Sequence, residues 1–269
     1  MTAAVIGVVA LVLCGCTVTE PPEQQIPDGV QLPPLGAGFD YQLGGAYDPP
    51  AGADVVERDS TADPALTGYS ICYVNGFQTQ PGEGQHWLDE HPDLVLRTAD
   101  GSPLIDPGWP DEFILDTSTE DKRMQIAALL GTVVASCATS GFDAVEIDNL
   151  DSYTRSDGTL TQDDAIDLAR RYAEVAHSLD LAIAQKNGAG DSARYKREVG
   201  FDFVVSEECM RYDECADYLD TYGGLVFDIE YDDASAFAGY CGADHPEAMI
   251  LRDLDLVTPD DPAYLYETC

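Results

Sequence analysis

Between residues 141 and 253 the chain keeps one rhythm, and that rhythm limits the fold more than any other feature. Short apolar runs that read as strands, at 141–150, 181–187, 201–208, 224–231 and 248–253, alternate with helix signals around 161–179, 193–199, 215–222 and 234–240. Upstream, 39–43, 53–59 and 68–76 add three more strand candidates, and apolar residues from Met124 to Cys137 recur at helical spacing. Alternation of this kind specifies a parallel sheet, since each parallel partner needs a crossover connection. Eight such units in about 230 residues suit a single (β/α)8 TIM barrel better than an open, doubly wound sheet, which is the alternative. The stretch 78–110 is rich in Gly, Pro and His and shows little periodicity, so it reads as a long functional loop. Its Trp87, with Trp109, could offer sugar-stacking faces or simply cap the core edge.

In a TIM barrel, function collects at the C-terminal ends of the strands. Here strand after strand ends in polar residues: Gln42, Asn75, Asp148 with Asn149, Lys186 with Asn187, Glu207 with Glu208, Glu230 with Tyr231, and Arg252 with Asp253. One such ending means little, because chains become polar on leaving a sheet, but the repetition points to a rim. In the run from Ala144 to Asp148 strand alternation puts Glu146 and Asp148 on one face, and two unpaired carboxylates belong in a cleft, not a core.

The rim offers carboxyls, one lysine, amides and tyrosines, without a Ser-His-Asp order, a P-loop or a GxGxxG motif. That set fits acid/base work on a hydroxyl-rich substrate, and glycoside hydrolysis is the natural case because it needs two carboxyl groups across the scissile bond. Asp148 and Glu207, ending the fourth and sixth strands, are the candidate catalytic pair. Lys186 between them is expected to keep Asp148 ionised, and partial desolvation after Phe203-Val204-Val205 to raise the pKa of Glu207. Glu146, Asp151, Glu208 and Glu230 are the rivals. An EF-hand-like calcium loop at 151–158 fits poorly, because Arg155 stands in its middle and the final Glu is missing. No metal and no cofactor are expected.

The formal charge is −37, from 13 Lys and Arg against 50 Asp and Glu, which opposes nucleic acid and anionic membranes as partners and allows a cationic one. Taken alone, dense acidity is better explained as a solubility device, so charge names no substrate. Residues 1–16 read as an export signal, and Leu13-Cys14-Gly15-Cys16 is similar to a bacterial lipobox, which would place a lipid on Cys16. The usual basic n-region is missing, and a plain cleaved signal is the other reading; both export the protein. A polar tether follows at 17–37, then the domain at 38–269. The expected location is extracellular or at the cell surface, as a bacterial lipoprotein touching the membrane only through its lipid, and monomeric. Beyond the leader, Cys72, Cys137, Cys209, Cys215, Cys241 and Cys269 form an even set in an oxidising compartment. Of the 15 pairings open to six cysteines, Cys209–Cys215 would clip one loop, Cys241–Cys269 would pin the C-terminus, and Cys72–Cys137 remains. Zinc is disfavoured, since there is no CxxC and the four His do not cluster with the cysteines.

Several stretches together resemble glycoside hydrolase family 114, the endo-α-1,4-polygalactosaminidases: Val145 to Tyr153, Gln185-Lys186-Asn187, Ser206 to Cys215, Phe227 to Tyr231, with Tyr41-Gln42-Leu43 and Ile71-Cys72-Tyr73. The likeness runs from about Phe39 to Asp253. It departs from the family's pattern at Phe39, Ile147 and Ser206, which bear on packing and subsites more than on the acids. The resemblance implies a (β/α)8 barrel, a polysaccharide substrate containing galactosamine, Asp148 as nucleophile, Glu207 as acid/base and a retaining outcome. It implies further substrate-binding roles for Tyr41, Glu146, Asn149, Tyr153, Lys186, Asn187, Glu230 and Tyr231, Glu146 serving either a sugar hydroxyl or Lys186. The competing reading is a carbohydrate-binding lipoprotein on the same barrel without turnover.

Overall fold

The computed structural model describes Met1 and residues 26–269, Asp232 excepted. The leader, the lipobox with Cys16 and most of the tether therefore lie outside the described residues. Eight strands form one parallel sheet in chain order: β1 (Gly38–Gln42), β2 (Ala53–Asp59), β3 (Tyr69–Asn75), β4 (Ala144–Asp148), β5 (Ala182–Lys186), β6 (Phe203–Glu207), β7 (Val226–Glu230) and β8 (Ala248–Arg252). A ninth, β9 (Tyr266–Thr268), pairs antiparallel with β8. The helices are α1 (Gly84–Glu90), α2 (Glu120–Ser140), α3 (Gln162–Ser178), α4 (Ser192–Val199), α5 (Cys215–Tyr222) and α6 (Ala234–Tyr240). The fold is the (β/α)8 TIM barrel, with loops instead of helices after β1, β2 and β8.

Strand alternation divides the core into two layers. Phe39, Tyr41, Val55, Ile71, Ala144, Ala184, Phe203, Val205, Phe227 and Ile229 fill the barrel interior. Their sequence neighbours Cys72, Val74, Val145, Ile147, Ile183, Val204 and Val226 face outward against α2, α3, α4 and α5. Helix α3 shows how local sequence selects an element. Thr161 accepts from the Asp164 N–H while Asp164 accepts from the Thr161 N–H, a capping box that satisfies the first-turn donors. Its Leu168, Tyr172 and Ala176 stripe then buries against the sheet. At the N-terminal end of the barrel, Val30 and Leu32 pack on the interior cluster and the Tyr69 hydroxyl donates to the Gln31 carbonyl, so this end of the stretch read as tether lies against the domain.

Among the described residues no ladder joins β8 to β1; side chains bridge that seam instead. Arg252 donates to the Tyr41 and Leu265 carbonyls and lies 3.4 Å from Asp40, and the Tyr266 hydroxyl donates to the Phe39 carbonyl. Disulfides link Cys72 to Cys137, tying β3 to α2, Cys209 to Cys215 at the start of α5, and Cys241 to Cys269, fastening the C-terminus. The segment 78–110 differs from the expected irregular loop. It contains α1 and antiparallel bridges between Gln78 and Ile114, Val95 and Leu115, and Ile105 and Phe113, which fold it into a wall over the barrel mouth.

Candidate active site

The same alternation that packs the interior carries its top row into a cleft of about 660 Å³ at the C-terminal ends of the strands. Following the interior positions Ile71, Glu146, Ala184, Val205 and Ile229 by two residues gives Tyr73, Asp148, Lys186, Glu207 and Tyr231. Just beyond three of these strands, Asn149, Asn187 and Glu208 adopt left-handed backbone, with φ of 64°, 50° and 58°. The chain turns sharply there, which leaves Asp148, Lys186 and Glu207 as the last interior residues of their strands. Asn tolerates that conformation; Glu208 does so at a cost.

Asp148 accepts from the Tyr73 hydroxyl at 2.8 Å and from the Asn149 N–H at 2.6 Å. Glu207 accepts from the Tyr231 hydroxyl at 2.7 Å and from the Asn187 amide at 3.1 Å, while the Asn187 carbonyl oxygen receives the Glu207 N–H at 2.8 Å. Beneath them lies Lys186, buried, its ammonium 2.9 Å from Glu146 and 3.7 Å from Glu207, donating to the Tyr41 hydroxyl at 2.6 Å. Burial works to lower the Lys186 pKa, but Glu146 first, then Glu207 and Asp148, outweigh it and hold the lysine charged.

Proton affinities in this site correct the sequence expectation. Burial pushes Asp148 up to about 6, with Glu146 and Glu207 adding to it, and Lys186 only partly offsets the rise. For Glu207, burial acts the same way but is overcome by Lys186 and by the hydrogen bonds from Tyr231 and Asn187, so its pKa falls below the usual carboxylate value. Without substrate it is thus Glu207, not Asp148, that the lysine and the donors favour as an anion. The reason is geometric: the ammonium stands on the Glu207 side and the amide of the next residue reaches the same oxygen.

Tyr41, Asn149, Asn187 and Tyr231 line the cleft as expected from the sequence. Four other expectations change. Glu146 and Lys186 are too deep to meet a sugar and form the floor under Tyr41 and Glu207. Glu230 faces outward, because alternation turns Ile229 and Tyr231 inward, and accepts from the Met210 N–H at 2.7 Å. Tyr153 packs its ring with Leu96, Ile114 and Leu160. Of the remaining rivals, Asp151 and Glu208 hold Arg155 and Arg211. The two tryptophans separate: Trp87 is buried in the core, whereas Trp109 is 58% exposed and lines the cleft.

Sequence reasoning assigned no role to Tyr73, which shares the interior face with Asp148, nor to the wall that the loops supply. The lining also takes in Asp59 at the end of β2 and the loop residues Gln80, Asp106, Glu112 and Asp255. Glu112 is 6% exposed and accepts from the Asn75 amide at 2.8 Å; burial first, then Asp148 and Asp106, push it up to about 7. Arg155 is the cation of the lining and is engaged by Asp106 at 2.6 Å and Asp151 at 2.8 Å. The surface is therefore strongly acidic. Among the described residues the grouping with metal-ligand spacing is Cys209, Cys215 and Asp228, and its two sulfurs are joined to each other.

No curated protein matches the chain in sequence. Among solved structures, Aspergillus fumigatus Ega3 in complex with galactosamine superposes with a TM-score of 0.71 at 21% identity, covering 89% of this chain and 98% of that one. The glycoside hydrolase domain of PelA from Pseudomonas aeruginosa follows with a TM-score of 0.57 at 13% identity, covering 86% and 99%. At these identities the likeness is one of fold. The sequence model of glycoside-hydrolase family GH114 matches residues 19–269, so the protein belongs to that family and is a glycoside hydrolase.

Proposed function

We propose that this protein is an exported endo-glycosidase that cleaves α-1,4-linked, galactosamine-containing polysaccharide by a retaining mechanism. One observation carries the reading: Asp148 and Glu207, from β4 and β6, open into one cleft and share Lys186 beneath them. Asp148 Oδ attacks the anomeric carbon while the glycosidic C–O bond breaks and Glu207 gives its proton to the departing oxygen. Water, deprotonated by Glu207, then attacks the same carbon and frees Asp148. Galactosamine as the sugar follows from family membership and suits an acidic cleft, since an unacetylated amino sugar carries an ammonium group. Export, with a lipid on Cys16, is supported by the leader sequence and by disulfides suited to an oxidising compartment.

The free-site affinities favour a proton on Asp148, whereas these roles need it on Glu207, so the reactive form is the minor arrangement of a singly protonated pair. Activity is therefore expected in a bell, falling as pH rises past about 6 and, on the acid side, below the ordinary Glu value of 4.5. The same affinities support a second reading with the roles exchanged. A fluorinated galactosaminyl donor that traps the glycosyl-enzyme, followed by peptide mapping, separates the two, as the label belongs on Asp148 in the first and on Glu207 in the second. The reaction itself is tested by incubating the purified protein with partly deacetylated galactosaminogalactan and measuring new reducing ends. Asp148→Asn and Glu207→Gln should each lose about 10³-fold or more in kcat. Binding without products from the wild type would instead favour the non-catalytic carbohydrate-binding lipoprotein.

A further inference from the structure

One acid in the barrel interior is used by neither the cleft nor any ion pair described above. Glu57, the fifth residue of β2, is fully buried, with Tyr41 on β1 and Ile71 on β3 as its register partners. Neither of its carboxyl oxygens meets a hydrogen-bond donor, an arrangement that a buried carboxylate does not sustain. Glu146 is the acid that bears on it most, and two carboxylates have no donor between them unless one carries a proton. Glu146 already faces the ammonium of Lys186 at 2.9 Å, so Glu57 is the member left to hold it.

We infer that Glu57 stays protonated while the enzyme works and donates a hydrogen bond to Glu146, which makes Glu57 a positioning residue for Lys186 and, through it, for Glu207. Charge balance points the same way. The groups that bear on Glu57 are Tyr41, Glu146, Asp148 and Lys186, Glu207 joins them at the ammonium, and Lys186 is the one cation in that set. Four ionised carboxyls around one ammonium would repel one another in a dry interior, and a neutral Glu57 removes one of those charges where no water can screen it. Burial and then Glu146 push Glu57 well above the usual carboxylate range, in keeping with the geometry. Held from below, Glu146 fixes Lys186 within reach of both the Tyr41 hydroxyl and Glu207. The positioning role rests on the reading of Asp148 and Glu207 as the reacting pair; the protonation state does not.

Glu57→Gln keeps the volume, the neutral charge and a donor. It should fold, retain kcat/KM within about threefold, and leave the alkaline limb of the pH profile unmoved. Glu57→Leu keeps the site neutral but removes the donor, and should lower kcat more than about tenfold with little change in KM. Infrared difference spectra of wild type against Glu57→Gln should show a protonated carboxylic C=O band from about pH 5 to pH 8 that the variant lacks. An alkaline limb moved to lower pH in Glu57→Gln would overturn the inference, since it would mean that an anion had been removed. So would loss of folding in that variant, a kcat for Glu57→Leu equal to that of Glu57→Gln, or no such infrared band. The infrared arm needs no turnover, so inactivity of the wild type on polymer would defeat the functional reading and leave this result standing.

Discussion

Lys186 is the ammonium on which the carboxyls inside the barrel converge, and Asp148 is the acid that bears the cost of that crowding. Its pKa near 6, against an ordinary 3.8, means that the folded state binds its proton more tightly than the unfolded chain does. Between those values the folded state therefore holds more protons, and stability falls as pH rises from about 4 to 6, with the penalty persisting above. About two units correspond to roughly 3 kcal/mol as an upper figure. Asp148→Asn should accordingly melt higher than wild type at pH 7 to 8 and close to it near pH 4, while losing activity; calorimetry at both ends checks this. Equal melting temperatures at pH 8 would mean that Asp148 ionises without strain. At this scale the acids themselves were legible, because Asp148 and Glu207 end apolar strands on the inward face. Their proton affinities were not, since these depend on which side of the barrel the Lys186 ammonium leans toward, a distance set between separate strands.

Among the elements, the seam between β8 and β1 is where the barrel depends on side chains. Arg252 is buried and holds the Tyr41, Leu265 and Val257 carbonyls as well as Asp40, which is itself fully buried and further bonded by Gln42 and Tyr47. Removing the guanidinium would leave the Asp40 charge without its cation, and such losses cost about 3–5 kcal/mol. Arg252→Met should lower the urea midpoint by that equivalent, and adding Asp40→Asn should recover part of it; additive losses would argue against their coupling. The eight parallel strands and α2 to α6 followed from periodicity. The last strand, β9, was not legible, since its three residues are exposed or half-buried and owe their conformation to the free edge of β8. Helix α1 was equally silent: it buries only Gly84 and Trp87, too few positions to write a helical stripe.

For the molecule as a whole, the −37 charge becomes concrete at the cleft, whose lining gathers Asp59, Asp106, Glu112, Asp148, Asp151, Glu207 and Asp255 around the already paired Arg155. A partly deacetylated, cationic polymer should be drawn in over long range, so kcat/KM is expected to fall about tenfold or more from low salt to 0.5 M NaCl. A fully acetylated polymer, lacking the charge, should show little change, and equal salt dependence for both would remove the case for steering. Among the described residues no helix is long and apolar enough to cross a membrane. Local pattern was enough to favour the barrel over an open sheet, because strand and helix periods repeat along the chain, and to place acids at the strand ends, because a period of two fixes which side chains point inward. Packing between distant parts of the chain settled that Glu146 and Lys186 lie under the site, that 78–110 builds a wall carrying Trp109 with Glu112 just after it, and that Glu57 sits without a donor. Those outcomes depend on contacts between residues far apart in the chain, where burial and charge, not local pattern, set the energy.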